Sequence, residues 1–253
     1  MLDALLAVRY DFGTVRDFLF NPIIIRALRE TLYIAFLSMA IGIVLGTVLG
    51  VMRVSRNPLV SGFAGFYVWF WRATPVILQL LIMYFGLRQL IEADIFRDEW
   101  TRWRAAVITF GLNEAAYMAE IVRGGIRSVE SGQTDAAKSL GMTNLQAIRR
   151  IILPQALRVM VPPTGNEFIA LLKNTSVAFA IGVVELTNAA RIQSARNFQV
   201  MELYTVAAFW YLVVVSVFSL LQAELERLLT AGQRERPETL FSRAMSRLGS
   251  SRA

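Results

Sequence analysis

Five charged side chains fall inside stretches otherwise apolar enough to lie in a membrane: Arg72, Glu114, Glu120, Glu167 and Lys173. At that depth a charge costs about 2.5 to 3.5 kcal/mol on insertion scales, so each must be paired, solvated by a cavity or put to use. The chain has no histidine and no cysteine, which removes thiolate nucleophiles, disulfides, most transition-metal sites and the commonest general base. No metal site and no covalent catalysis are therefore expected. An intramembrane enzyme would rest on carboxylates such as Glu114 and Glu120, and these read more simply as packing and pairing groups. Glu120 precedes Arg123 by three residues, which makes the two neighbours on one helix. Glu167 and Lys173 are separated by about 240° of helix rotation, which leaves Glu167 to a tertiary partner or a substrate. Arg72 opens the run Arg72-Ala73-Thr74-Pro75, where proline removes a backbone hydrogen bond and kinks the helix, so this arginine must face protein or a water-filled cavity. The run Pro162-Pro163 with Gly165 predicts a second break just before Glu167.

The elements that position these groups are membrane helices. Of 253 residues 55% are hydrophobic and 18% charged, and no charge occurs from Thr31 to Met52 or from Leu203 to Ala223. Each run is long enough to cross roughly 30 Å of hydrocarbon. The pattern predicts an all-α integral membrane protein with five spans, at about 31–52, 59–87, 105–122, 159–185 and 203–226. A segment over 1–30 forms an extracytoplasmic, interfacial lead-in, with an apolar patch from Phe18 to Ile23. Acids and arginines before residue 18 rule out a cleavable signal there. A basic tail over 231–253 is expected without fixed structure. Counted over alternating connections, one side holds fourteen basic residues with a net charge of +8, the other ten with a net charge of zero. The positive-inside rule then puts the loop after the third span and the C-terminus in the cytoplasm, and the N-terminus outside. That placement accounts for the overall charge of +7 without nucleic acid. In the first span Ser38, Gly42, Gly46 and Gly50 recur every four residues, a face of small side chains suited to close helix packing.

The cytoplasmic loop over 131–154 carries Asp135-Ala136-Ala137, then Gly141, then Ile151-Ile152-Leu153-Pro154. The sequence predicts two short helices. Ser131 caps the first, a left-handed Gly141 ends it, a capping box of Thr143 and Gln146 opens the second, and Pro154 stops it. With little side chain at 136 and 137, such a loop suits docking into another protein's groove.

This spacing resembles the Glu-Ala-Ala coupling loop of permeases in ATP-binding-cassette importers, with Asp135 in place of the glutamate. The similarity extends to Glu30-Thr31-Leu32, to Trp71-Arg72-Ala73-Thr74-Pro75, to the run from Ala116 to Ile126, and to Gly165-Asn166-Glu167-Phe168 with Leu172-Lys173-Asn174-Thr175-Ser176. Together these resemble the polar-amino-acid branch of that family. The resemblance implies a permease of the bacterial inner membrane, a second permease subunit of the same or a similar chain, two cytoplasmic ATPase subunits and an extracytoplasmic amino-acid-binding protein. ATP and Mg would sit on the ATPases, because this chain has no Gly-x-x-x-x-Gly-Lys phosphate loop. On the same resemblance Asp135, Ala136, Ala137, Gly141, Ile151, Leu153 and Pro154 engage the ATPase. A free amino acid wants an acid, a base and exposed helix-break amides. Glu167 with Asn166 beside it, Arg72, and the Thr74-Pro75 break supply them, with Tyr117 and Glu120 along the same path. The competing reading is an ion-coupled carrier or channel without an ATPase, which would not require the complete loop spacing.

Overall fold

Asn21-Pro22 opens a helix of 32 residues: the Asn21 side chain accepts the Ile23 amide at 2.9 Å, and proline occupies the first turn, where its missing N–H costs nothing. The computed structural model describes residues 10–91 and 100–230, and every regular element among them is helical. In order these are α1 (Phe12–Leu19), α2 (Pro22–Arg53), α3 (Pro58–Ala73), α4 (Val76–Leu90), α5 (Arg102–Arg127), α6 (Ser131–Ser139), α7 (Asn144–Ile181), α8 (Leu186–Asn197) and α9 (Val200–Thr230). Three of them, α2, α5 and α9, are long and apolar enough to cross a membrane, and the bent pairs α3–α4 and α7–α8 raise the candidate spans to five. The expected tail over 231–253 and most of the outer loop, 92–99, lie outside the described residues.

The center of the bundle is the pair α2 and α5. Ser38 donates to the Val107 carbonyl at 3.0 Å, and the three glycines of α2 meet α5 at a matching four-residue interval. A Cβ placed on Gly42 would lie 2.7 Å from Cγ of Glu114, on Gly46 2.4 Å from Cβ of Met118, and on Gly50 2.6 Å from Cβ of Val122. The backbones are thus as close as the absent side chains permit. Below them Leu49, Ala64, Val68, Ala115 and Ala119 bring α3 into the same layer. Above, a larger core of Ile34, Leu80, Phe110 and Leu172 ties α4 and α7 to it. On the far side Ile24, Leu186, Leu203 and Val206 join α2, α8 and α9.

The N-terminal patch takes a different form from that expected. Phe18 and Leu19 end α1, and α2 starts at Pro22 rather than Thr31. With 32 residues it is about 48 Å long, more than a bilayer core requires. Helix α1 folds back on α9: the Trp210 indole donates to the Leu19 carbonyl at 2.7 Å, and the Asp11 amide donates to Glu202 at 3.0 Å. Hydrogen bonds from the Thr14 hydroxyl and the Gly13 amide hold the Asp11 carboxyl below its usual range.

Three prolines behave otherwise than predicted. Pro154 does not stop a helix, and Pro162 and Pro163 do not break one, because α7 runs continuously through all three. A π-helical turn over Ile148–Ile152 widens the coil just where the Pro154 ring would strike the Arg150 carbonyl. At Pro162 the side chain of Gln222, from α9, donates to the carbonyl at 2.8 Å while lying across Gly165. The backbone changes later, in a 3-10 turn over Thr175–Ile181 that ends at a left-handed Gly182.

Replacing Gly46 by Leu should drive α2 from α5, at about 1–3 kcal/mol or more, lowering the melting midpoint of the detergent-purified chain and its yield. Gly62→Leu is the control, since an added Cβ there meets nothing within 4 Å. Equal midpoints for the two variants would contradict the packing role of the glycine face.

Candidate functional site

The break between α3 and α4 follows from one missing donor. In an unbroken helix the Trp71 carbonyl would accept the amide of residue 75, and residue 75 is proline. The chain responds with a turn of 102° instead of the kink expected of a single second span. Thr74 takes an extended conformation and Pro75 caps α4. The orphaned Trp71 carbonyl accepts two side-chain amides, Gln79 at 2.8 Å and Asn113 of α5 at 3.1 Å. Gln79 also donates to the Thr74 carbonyl at 3.1 Å and to its hydroxyl at 2.7 Å, and its own oxygen accepts from Asn113 at 2.9 Å. Backbone that has left the helix is in this way satisfied by protein, the condition for irregular chain at membrane depth.

Beside this knot lies a cavity of about 560 Å³. Its walls are Arg72, Thr74 and Pro75 from the break, Asn113, Glu114 and Tyr117 from the middle of α5, and Glu167, Ala170 and Asn174 from one face of α7. The volume falls within the range of small-molecule sites. The Arg72 guanidinium rests 5.0 Å from the centroid of the Tyr117 ring, a cation–π arrangement that orients it. Among the described residues Glu167 makes no ion pair, with Lys173 or with any other cation. Lys173 is exposed on another face of α7.

Of the residues expected along the path, Arg72, Thr74, Pro75, Tyr117 and Glu167 come together here, and two do not. Asn166 is exposed and outside the cavity wall, as its position one residue (100°) around α7 from Glu167 dictates. Glu120 lies outside it too, held between Arg123, to which it is hydrogen-bonded, and Arg53 of α2 at 3.4 Å. The expected Glu120–Arg123 pair exists, but at the end of the helices, where it fastens α2 to α5. Sequence reasoning missed Gln79, and it assigned Asn113 and Glu114 no part in the cavity, whereas Asn174 lies, as the polar groups of its span suggested, along the path. The findable signal for Gln79 was a lone amide one turn beyond Pro75, within reach of the carbonyl that the proline leaves free.

The loop over 131–154 is built from α6 and the start of α7. Gly141 has φ of 79°, and the amides of Gly141 and Met142 bond the carbonyls of Lys138 and Ala137 at 2.9 and 3.1 Å, a Schellman ending. Thr143 and Gln146 form the predicted capping box. Ser131 is the first residue of α6 rather than its cap. Glu130 holds the cap position, with no side-chain bond to the helix. Ala137 is buried, whereas Asp135 and Ala136 are exposed on the outer side of the loop. Ile151 is half-buried, and Leu153 and Pro154 are exposed on α7.

A helix broken beside a cavity lined by charged and polar side chains, with a capped helical loop between α5 and α7, is an arrangement suited to a transport subunit. The chain belongs to the family of binding-protein-dependent transport system inner membrane components, whose model matches residues 42–231. It is 41% identical to the arginine transport system permease protein ArgU of Corynebacterium glutamicum, over 98% of this chain and 80% of that protein. It is 36% identical to the glutamine transport system permease protein GlnP of Escherichia coli K12, over 81% of this chain and 92% of that one. A crystal structure of an amino acid ABC transporter with histidines superposes with a TM-score of 0.78 at 35% identity, covering 87% of this chain and 99% of that chain. The chain is therefore a permease subunit of the ATP-binding-cassette importer class, a membrane protein that works with ATPase and substrate-binding proteins.

Losing the amide at 79 should unseal the break. Gln79→Leu leaves the Trp71 and Thr74 groups short of donors and should cost about 1–3 kcal/mol, read as a lower melting midpoint of the purified chain. An unchanged midpoint would show that the knot does not hold the bend.

Proposed function

We propose that this permease carries a polar amino acid across the bacterial inner membrane, and that the cavity between α3, α5 and α7 is where the amino acid is held on its way. One observation supports this above others: Glu167, which makes no ion pair among the described residues, and Arg72, whose guanidinium is backed by an aromatic ring, line a single cavity. These are the two charges that complement an ammonium and a carboxylate carried on one carbon. The named amino-acid substrates of the relatives agree with it. On this reading the N-terminus is outside, the loop from α6 into α7 is cytoplasmic, and a second permease subunit and two ATPases complete the complex.

The loop is proposed to receive the ATPase through Asp135, Ala136 and Leu140, all exposed on α6 and its cap. Closure of the ATPases displaces α6, and α7 leads from that loop without interruption to Glu167. The carrier or channel reading is not favored: it gives the loop no task.

Two experiments test the proposal. Glu167→Gln keeps the size and removes the charge, so amino-acid uptake into proteoliposomes with the receptor present should fall by at least about 10-fold while the subunits still co-purify. Normal uptake, or loss of assembly, would return Glu167 to a purely structural role. Gly141→Val forces a β-branched residue to φ of 79° where an added Cβ meets nothing within 4 Å, so its cost of about 1 kcal/mol or more is backbone strain alone. ATP hydrolysis should then uncouple from uptake, with Gly141→Asn, which tolerates the left-handed region, retaining coupling. Full coupling in the valine variant would remove the loop from the transmission path.

A further inference from the structure

The first turns of α2 carry two arginines that the bundle does not pair. The charge-free run from Thr31 to Met52 is about 33 Å long as a helix, which matches a hydrocarbon core of roughly 30 Å. The turns before it, from Pro22 to Glu30, therefore stand at the depth of the lipid headgroups, in the leaflet that the orientation proposed above makes the outer one. Arg26 and Arg29 are both exposed there, and neither makes an ion pair among the described residues. Glu30, the acid beside them in sequence, is drawn the other way and accepts the Trp103 indole of α5 at 3.1 Å. Basic residues flanking a span are disfavored on the outer side, so two together without a counter-ion call for one.

Below the arginines the same face of the helix is apolar. Arg26, Arg29, Tyr33 and Leu37 follow one another at steps of three and four residues, Ala40 and Val44 continue the line, and every one of them is exposed. The face points away from the glycines that meet α5. The Arg29 guanidinium lies 6.0 Å from the centroid of the Tyr33 ring, which sets it at the top of this apolar strip. Arg26 and Arg29 are neighbors on the helix surface, so a phosphate placed between them receives charge-assisted bonds from two planar forks. A free anion would leave the strip below bare. An acyl chain hanging from the same phosphate covers it. A zwitterionic headgroup would bring its own cation against the two guanidiniums, whereas a headgroup charged only at its phosphate does not. We propose that Arg26 and Arg29 form a site for the phosphate of an anionic phospholipid, whose acyl chain lies along Tyr33, Leu37 and Val44. The site is separate from the substrate cavity and does not depend on it.

The assembled permease–ATPase complex is stripped of lipid in detergent and titrated with short-chain phosphatidylglycerol, phosphatidylcholine or phosphatidylethanolamine, while native mass spectrometry counts what stays bound. Phosphatidylglycerol should bind about 10-fold or more tighter than either zwitterionic lipid. Arg26→Gln combined with Arg29→Gln should cancel that preference and leave zwitterionic binding where it was. Arg16→Gln, at an arginine already paired with Asp17 at 3.7 Å, should keep it. Equal binding of the three lipids by the unaltered complex, or a preference that survives the double variant, overturns the inference. The ranking on the unaltered complex decides the matter even where the double variant does not assemble. Inorganic phosphate separates a lipid site from a bare anion site: at equal concentration it should not displace phosphatidylglycerol, and if it does, the arginines hold a free anion and the lipid assignment falls. The chain has no cysteine, so Val44→Cys reports on a second permease subunit at this face. The oxidized complex should show no disulfide between permease chains. A covalent pair would put the second subunit, not lipid, against α2 and overturn the inference.

Discussion

Backbone polar groups that leave a helix within a membrane bundle must be satisfied by protein, and the structure follows from how that demand is met at Pro75. An unpaired carbonyl in hydrocarbon costs several kcal/mol, and the chain bends by 102° at the proline that creates one. Once Trp71 loses its helical donor, the chain turns, and two amides from different elements, Gln79 and Asn113, converge on the orphaned carbonyl. Those bonds fix α4 against α5 and leave Arg72, in the last turn of α3, and Thr74, just past its end, in the wall of a cavity.

The second constraint is the approach of α2 to α5. With Gly42, Gly46 and Gly50 set against Glu114, Met118 and Val122, one helix serves as the wall behind the other, and the acid on α5 cannot retreat from the cavity. The same approach ends in an ionic clasp, Arg53 and Arg123 around Glu120. Half-exposed ion pairs contribute little to stability, on the order of 1 kcal/mol or less, so the clasp sets register more than it adds strength. Packing of small residues holds the pair together, and the charges keep it from sliding.

Much of this was legible in the sequence, and what escaped did so for a physical reason. Local rules found the left-handed Gly141, the Thr143–Gln146 box, the glycine face of α2 and the break at Pro75, because each is decided by a few neighboring residues. The same rules overstated Pro154, Pro162 and Pro163. Whether a proline breaks a helix depends on how the surroundings accommodate it: a π turn lies ahead of Pro154, and Gln222 on α9, sixty residues away, donates to the Pro162 carbonyl from outside the helix. Asn166 was misplaced by treating adjacency in sequence as adjacency in space, although successive residues on a helix diverge by 100°. Glu120 was misread because its depth was inferred from the apolar run around it, whereas it sits at the level where two helices end in arginines.

That α7 continues through three prolines bears on how the molecule can transmit force. A helix broken at Pro162 would have put a hinge between the loop and Glu167, and motion of the loop would have been absorbed there. The unbroken helix instead links the end of the loop to the cavity, with the Gln222 side chain bonded to the Pro162 carbonyl beside the two prolines. Between the loop and the cavity α7 leaves α geometry at the π turn over Ile148–Ile152, and beyond the cavity it does so again at the 3-10 turn over Thr175–Ile181 and the left-handed Gly182. On the proposed reading, a push delivered to α6 passes through the Gly141 turn into α7 and then reaches Glu167 along one continuous helix. The acid moves relative to Arg72, which is anchored through Tyr117 to α5. Separating the two charges that hold opposite ends of the amino acid weakens both contacts in one displacement, which is what release requires.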